Sequence, residues 1–278
     1  MDRIKSIFIS AATMFWLAVF IGSLIEGFSY KEWHYGLLLS TVVPVLFLAR
    51  LFIFKTPRTS PNLFVLMLLI IAGFSLELFY FINGGGVPDA MLLAGFSLVL
   101  WLVYIFWYSV FPSRNSEVIE IGKTLAPLSF IDQNGNTIST DSFEGKKLIY
   151  LFYRGNWCPL CMAQIKEISE QYRELNELGA EVLLISPQPH KFTVSLARKM
   201  DVPFNFLTDV NGRVAKQLGL YVKGGTPLGM EVFGFESDTV LPTVVITDEA
   251  GKILYSDQTD NYRVRPEPET FLAVLKDL

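Results

Sequence analysis

The sequence predicts an α-helical transmembrane bundle of four spans followed by an α/β layered domain. Three observations carry this reading. Apolar residues make up 51% of the 278 residues and charged residues only 18%, below the quarter usual in soluble domains. The apolar residues crowd into the first 111 positions, and beyond them strand-like and helix-like patterns alternate. The only two cysteines stand as Cys158-x-x-Cys161, where one strand-like pattern gives way to a helical one.

The apolar runs are residues 7–25, 36–54, 63–82 and 90–111. Each is about as long as the roughly 20 residues that cross a bilayer. The first has too long an apolar core for a cleaved signal, and three more runs follow it. A soluble bundle would need polar stripes at helical spacing, and these runs carry none. Tyr30, Trp33, Tyr35, Tyr80, Trp101 and Trp107 fall near span ends or at offsets consistent with an aromatic belt. Pro44 is expected to kink the second span. Glu77 is the only acid within a span; lying close to its end, it reads as an interfacial carboxylate. No cysteine lies in the spans, which excludes electron relay by intramembrane dithiols.

Arg3, Lys5, Arg50, Lys55, Arg58, Arg114 and Lys123 border one side of the spans, against Lys31 on the other. By the positive-inside rule the chain is an integral protein of a bacterial-type inner membrane, with its C-terminal domain in the cytoplasm. The periplasmic side is the alternative. Cytosolic thiols are kept reduced, so the resting pair there would be a dithiol.

Residues 112–123 turn polar and read as a linker, leaving residues 124–278 as the folded domain. The whole chain carries a net charge of −4, which excludes a nucleic-acid binder. Strands are expected near residues 128–131, 148–153, 181–186 and 205–207, and later over 243–247 and 252–256. Helices are expected over 159–178, near 191–200 and 212–218, and over 267–276. Residues 223–238, rich in Gly and Phe, fit no element and read as a surface excursion or a lid.

The cysteine pair sits at the strand-to-helix turn after Tyr153. Pro159 suits the first helical position, where its missing N–H costs nothing, so Cys158 is expected at the helix N-terminus. The free N–H groups and the dipole there favour a thiolate, which assigns Cys158 the attacking role. Cys161, one turn on, can reach back and close a disulfide, as a dithiol oxidoreductase needs. A zinc site lacks ligands, because His34 and His190 do not have the spacing of a pair. Two inert buried thiols are the remaining alternative.

Trp157-Cys158-Pro159-Leu160-Cys161 resembles the W-C-x-x-C of the thioredoxin superfamily. Ala126-Pro127, residues 132–135, Gly145-Lys146-Lys147-Leu148 and Phe152-Tyr153-Arg154-Gly155-Asn156-Trp157 are similar to its AhpC/TSA, peroxiredoxin-like branch. Residues 204–209 and 214–219 continue that likeness, and Leu241-Pro242-Thr243 resembles the superfamily's cis-proline loop. The resemblance covers residues 121–278 and implies a thioredoxin-like fold. One departure stands out. Peroxiredoxins place a Pro and a Thr or Ser seven and three residues before the attacking cysteine, where this chain has Leu151 and Gly155.

On this reading the catalytic pair is Cys158 and Cys161, with Trp157, Arg154 and Pro242 contacting substrate and no metal or cofactor. Trp157 would shield the thiolate, and Arg154 would stabilise it or a peroxide oxygen by charge. His190 is a candidate proton carrier. The favoured function is a membrane-anchored thiol-disulfide oxidoreductase acting on protein thiols or disulfides. A thiol peroxidase of the AhpC/TSA type is the alternative, taking a hydroperoxide and an external thiol reductant. A copper(I) carrier using two soft thiolates is the third reading. The lipid bilayer is the remaining partner.

Overall fold

The computed structural model describes residues 2–30, 34–54, 56–111, 114, 116–200 and 202–277; Lys31, Trp33, Lys55 and Pro112 lie outside them. Four apolar helices come first: α1 (Asp2–Tyr30), α2 (Tyr35–Ile53), α3 (Phe64–Ile82) and α4 (Pro88–Val103). The last continues as a π-helical turn over Tyr104–Tyr108. By length and composition all four are able to cross a membrane. α2 and α3 approach closely because both are glycine at the crossing. A Cβ on Gly36 would collide with the Gly73 carbonyl oxygen.

Two sequence expectations change here. Glu77 is not interfacial: it is 2% exposed and turned into the bundle. Its Oε2 accepts the Leu37 N–H at 3.1 Å and its Oε1 lies 3.4 Å from His34 Nδ1. The carboxylate thus caps the start of α2, where unpaired N–H groups and the positive end of the helix dipole favour an anion. Trp101 is not a belt residue. It is buried between Trp16 and Tyr104, with ring centroids 5.9 and 5.3 Å away.

The α/β domain has one mixed sheet. Its strands are β1 (Ser129–Asp132), β2 (Thr137–Ser139), β3 (Lys147–Phe152), β4 (Ala180–Ser186), β5 (Asn205–Thr208), β8 (Thr243–Thr247) and β9 (Ile253–Asp257), in the order β2-β1-β5-β4-β3-β8-β9. β3, β4 and β5 run parallel, while β1, β8 and β9 pair antiparallel with their neighbours. β6 (Tyr221–Val222) and β7 (Thr239–Val240) form a small separate hairpin. The helices are α5 (Pro159–Glu170), α6 (Tyr172–Glu177), α7 (His190–Lys199), α8 (Arg213–Gln217) and α9 (Pro268–Lys276). The single helix expected over 159–178 is broken at Gln171, whose N–H bonds Ile168 O at 3.0 Å and tightens the turn.

β3 is central and reads as a continuous apolar run because both its faces are covered. Ile149 and Leu151 pair across to Ile246 and Val244 and belong to one core, while Leu148, Tyr150 and Phe152 belong to the other. Each fully buried aliphatic side chain contributes about 1.5–3 kcal/mol. The carboxyl end of this strand therefore leads its next residues into a rigid setting.

The bundle and the domain share the first of these cores. Arg263, 0% exposed, donates to Ser60 O and Pro61 O at 2.7 Å and to Ser109 Oγ at 2.9 Å. Thr59 N–H donates to Arg263 O at 2.9 Å, and Tyr104 and Tyr262 share a hydroxyl hydrogen bond of 2.8 Å. Arg58 grips Glu167 with both guanidinium ends. The stretch expected as a linker is itself packed: Ile119 is buried and Arg114 donates to Pro242 O at 3.0 Å.

Candidate active site

The turn between β3 and α5 is shaped by residues that have little freedom. Gly155 has φ +147, a region that favours glycine, and a Cβ there would lie 2.7 Å from Trp157 Nε1. Gln188 pins the same turn from the end of β4. Its Oε1 accepts the Asn156 N–H at 2.9 Å, and its Nε2 donates to Tyr153 Oη and Asn156 Oδ1, each at 3.0 Å. Leu151 is buried in the sheet, so neither departure from the peroxiredoxin pattern leaves a gap.

Cys158 is the N-cap of α5 and Pro159 its first residue, as the sequence predicts. Cys161 N–H points at Cys158 Sγ over 3.4 Å. Both cysteines are thiols and both are buried, Cys158 at 1% and Cys161 at 0% exposure. Both belong to the apolar core that also takes in Tyr104, Ile105 and Tyr108 at the end of the bundle.

Arg265 supplies the nearest cation. Its Nη2 lies 3.4 Å from Cys161 Sγ and 4.0 Å from Cys158 Sγ. The guanidinium is fixed by Nη1 donating to Gln164 Oε1 at 2.8 Å and Nε donating to Tyr262 O at 3.2 Å. Burial raises the Cys161 thiol, but a hydrogen bond from Cys158, the Arg265 charge and the Arg154 backbone N–H outweigh it and hold Cys161 below the ordinary thiol range. Burial also raises Cys158, and sharing a proton with Cys161 raises it further. The pair loses its first proton as a unit. The resulting charge lies beside Arg265, whose Nη2 is nearer to Cys161 Sγ than to Cys158 Sγ.

Arg154 and Trp157 come together beside the pair. The Arg154 guanidinium lies 4.6 Å from the Trp157 ring and 5.8 Å from that of Tyr262, and donates to Gly225 O at 2.6 Å. A cavity of about 20 Å³, bordered by Arg154, Tyr108 and Tyr262, holds room for one water-sized molecule. Pro242 joins Arg265, Gln164 and Tyr262 around a second void of about 10 Å³. Its peptide bond is trans, like every other among the described residues, so the cis-proline expectation is corrected. The neighbouring backbone is already engaged, with Leu241 N–H on Leu220 O at 2.8 Å. His190 Nδ1 is 3.0 Å from Thr208 Oγ1, which in turn donates to Thr193 Oγ1 at 3.1 Å. Among the described residues no group of three or more His, Cys, Asp or Glu side chains gathers to hold a metal.

Sequence reasoning missed Arg265, Gln164, Gln188, Tyr108 and Tyr262. None stands in a motif; each reaches the site through tertiary packing.

Residues 121–256 match the AhpC/TSA family. Peroxiredoxin Q, chloroplastic, of Sedum lineare is 30% identical over 137 residues, which is 48% of this chain and 74% of that protein. The protein of the same name from Populus jackii is 33% identical over 112 residues, 38% of this chain. The chain spans about half the length of the Populus protein, 51%. The crystal structure of peroxidoxin BcpB from Mycobacterium tuberculosis is 20% identical, with a TM-score of 0.49 over 58% of this chain and 98% of that one.

Proposed function

We propose, on the premise that this chain belongs to the AhpC/TSA family, that it is a membrane-anchored thiol peroxidase working through a Cys158–Cys161 dithiol and disulfide. The observation that carries the reading is the burial of both sulfurs, 1% and 0% exposed, beneath the end of the fourth apolar helix. Sulfurs so deeply buried suit a small peroxide better than the disulfide of a folded partner protein. The relatives named peroxiredoxin Q support the same choice. Exchange with partner proteins, the activity first read from the C-x-x-C, yields to its alternative and survives as the step that resets the enzyme.

Cys161 thiolate attacks one peroxide oxygen. The O–O bond breaks, Cys161 becomes a sulfenic acid, and the departing alkoxide or hydroxide takes a proton. The Arg154 and Arg265 guanidinium groups offset the charge that develops on that oxygen; a donor so placed is worth about 3 kcal/mol. Cys158, kept protonated by its raised pKa, then attacks the sulfenic sulfur and water leaves, giving the intramolecular disulfide. An external dithiol reduces it by two exchanges.

The test uses the full-length protein in detergent with a small dithiol as reductant. Peroxide should be consumed catalytically, and one equivalent without reductant should remove two hydrogens from the intact mass. Stoichiometric loss of protein thiols with no turnover would overturn the reading.

A further inference from the structure

A cavity of about 360 Å³ lies where the start of α1 meets the 223–238 segment. Arg3 and Ser6 line it from the helix, and Lys223, Leu228, Glu231 and Asp238 line it from the segment. The two walls are clamped together. Ser6 Oγ donates to Thr226 O at 2.5 Å, Leu228 N–H donates to Ser6 O at 3.3 Å, and Ser10 Oγ donates to Leu228 O at 2.8 Å. Gly224 lets the chain pass close to the helix: its φ is +65, and a Cβ there would lie 3.3 Å from Arg3 Cβ.

The charges around the cavity are unevenly satisfied. Asp238 Oδ1 accepts the Gly224 N–H at 2.8 Å and its Oδ2 accepts the Tyr221 hydroxyl. Glu231 Oε2 accepts the Gly229 N–H at 2.9 Å, which leaves its Oε1 open. Among the described residues Arg3 and Lys223 make no hydrogen bond or ion pair, and Lys223 acts on Asp238 only through space. Two cations with unused donors therefore border one cavity from two elements, next to a carboxylate oxygen with an unused lone pair. That set matches a phosphate beside an ammonium.

The surroundings point to a lipid as the source of both groups. The apolar run of α1 begins at Ile7, one turn beyond Arg3, and Ile4 and Ile7 are exposed, as are Leu228, Val232 and Phe233 on the segment. Exposed apolar side chains on and beside a helix able to span a membrane lie against acyl chains, and cations one turn outside them lie among headgroups.

We propose that this cavity binds a phospholipid whose headgroup pairs a phosphate diester with a primary ammonium. Arg3 and Lys223 take the phosphate, and Glu231 takes the ammonium. A quaternary ammonium has no N–H to give Glu231, and a headgroup without an amine leaves that carboxylate facing the phosphate. The occupant also bears on the cysteine site. Gly225 O accepts from Arg154 at 2.6 Å and Thr239 Oγ1 donates to Arg154 O at 2.8 Å, so a lipid that steadies this segment steadies Arg154 as well.

The experiment measures lipid retention by the full-length protein in detergent, using native mass spectrometry. Phosphatidylethanolamine, phosphatidylcholine and phosphatidylglycerol of matched chains are offered at equal concentration, and soluble glycerophosphoethanolamine is offered alone. One phosphatidylethanolamine should be retained per protein, about fivefold or more tightly than either other lipid. Arg3→Gln and Lys223→Gln should each weaken it by about fivefold, the effect of one basic residue at a membrane surface. Glu231→Gln should remove the preference over phosphatidylcholine. Amide exchange over residues 223–238 should be slower in nanodiscs containing phosphatidylethanolamine than in phosphatidylcholine alone, and Lys223→Gln should erase the difference. All three side chains are exposed and they lie on two elements, so a folding failure of one variant leaves the others as the test. Equal retention of the three lipids, a preference for phosphatidylglycerol, or unchanged retention in the folded variants would overturn the inference. So would amide exchange indifferent to the lipid, or a soluble headgroup bound as tightly as the lipid. None of these readouts depends on peroxide turnover.

Discussion

The Nη2 of Arg265 stands 3.4 Å from Cys161 Sγ, across 104 residues of sequence. This contact gives the dithiol its asymmetry. A cation at that distance favours the thiolate on one sulfur, while the other, 4.0 Å from the same nitrogen, keeps its proton.

Arg265→Gln should therefore raise the pH at which Cys161 becomes reactive. A charge-assisted hydrogen bond is worth about 1.5–3 kcal/mol. That corresponds to about one to two pH units, so alkylation on the acid side should slow by about ten- to a hundredfold. The sign follows from the lowered Cys161 pKa: the thiolate is present above that pKa and lost as pH falls through it. Iodoacetamide labelling against pH, with peptide mapping, reads the midpoint. An unshifted midpoint would remove Arg265 from the account.

Single cysteine variants separate the two roles. Cys158→Ser should still react with one equivalent of peroxide and stop at a sulfenic acid on Cys161, which a dimedone-type probe captures. Cys161→Ser should react slowly or not at all. The opposite pattern would restore the assignment made from helix position.

These roles mark where sequence reasoning stops. The four helices and the cysteine turn are legible because each is a contiguous pattern: apolar length in one case, Cys-Pro spacing after a β-branched run in the other. Arg265 and Tyr262 lie on a short segment before α9 that looks like an ordinary polar connection. Tyr108 looks like one more aromatic in an apolar run. Only the packing of the bundle end onto the domain brings these side chains over the sulfurs. Glu77 failed for a related reason, since its position along α3 says nothing of the open N-terminus of α2 beside it. β2 and the β6–β7 hairpin are too short to show a period.

Gly155→Ala should impair the site without touching a sulfur. The added Cβ meets Trp157 at a backbone angle that side chains avoid, a strain of about 1–3 kcal/mol. The intrinsic tryptophan fluorescence, to which Trp157 contributes, should change and peroxide turnover should fall, whereas Gly145→Ala, also at positive φ but in open space, should leave both near wild type. Equal effects of the two substitutions would argue for general destabilisation.

Arg263→Met should loosen the domain from the bundle. It leaves Ser60 O and Pro61 O without their buried donor, at about 1–3 kcal/mol for each unsatisfied group. The expected result is a lower thermal unfolding midpoint in detergent and faster labelling of both cysteines by a bulky maleimide. Unchanged labelling would mean that the bundle does not control access.

The most direct measurement sets the two chemistries against each other in the intact protein. Reduced full-length protein is mixed with hydrogen peroxide, and separately with an oxidised thioredoxin-sized protein disulfide, and oxidation of the Cys158–Cys161 pair is followed by intact mass and intrinsic tryptophan fluorescence. A pair buried beneath Tyr108 and charged by Arg265 should be oxidised by peroxide at a second-order rate at least about a hundredfold above that with the protein disulfide, the span one preorganised transition-state donor can supply. Faster oxidation by the protein disulfide, with peroxide slow, would contradict the account.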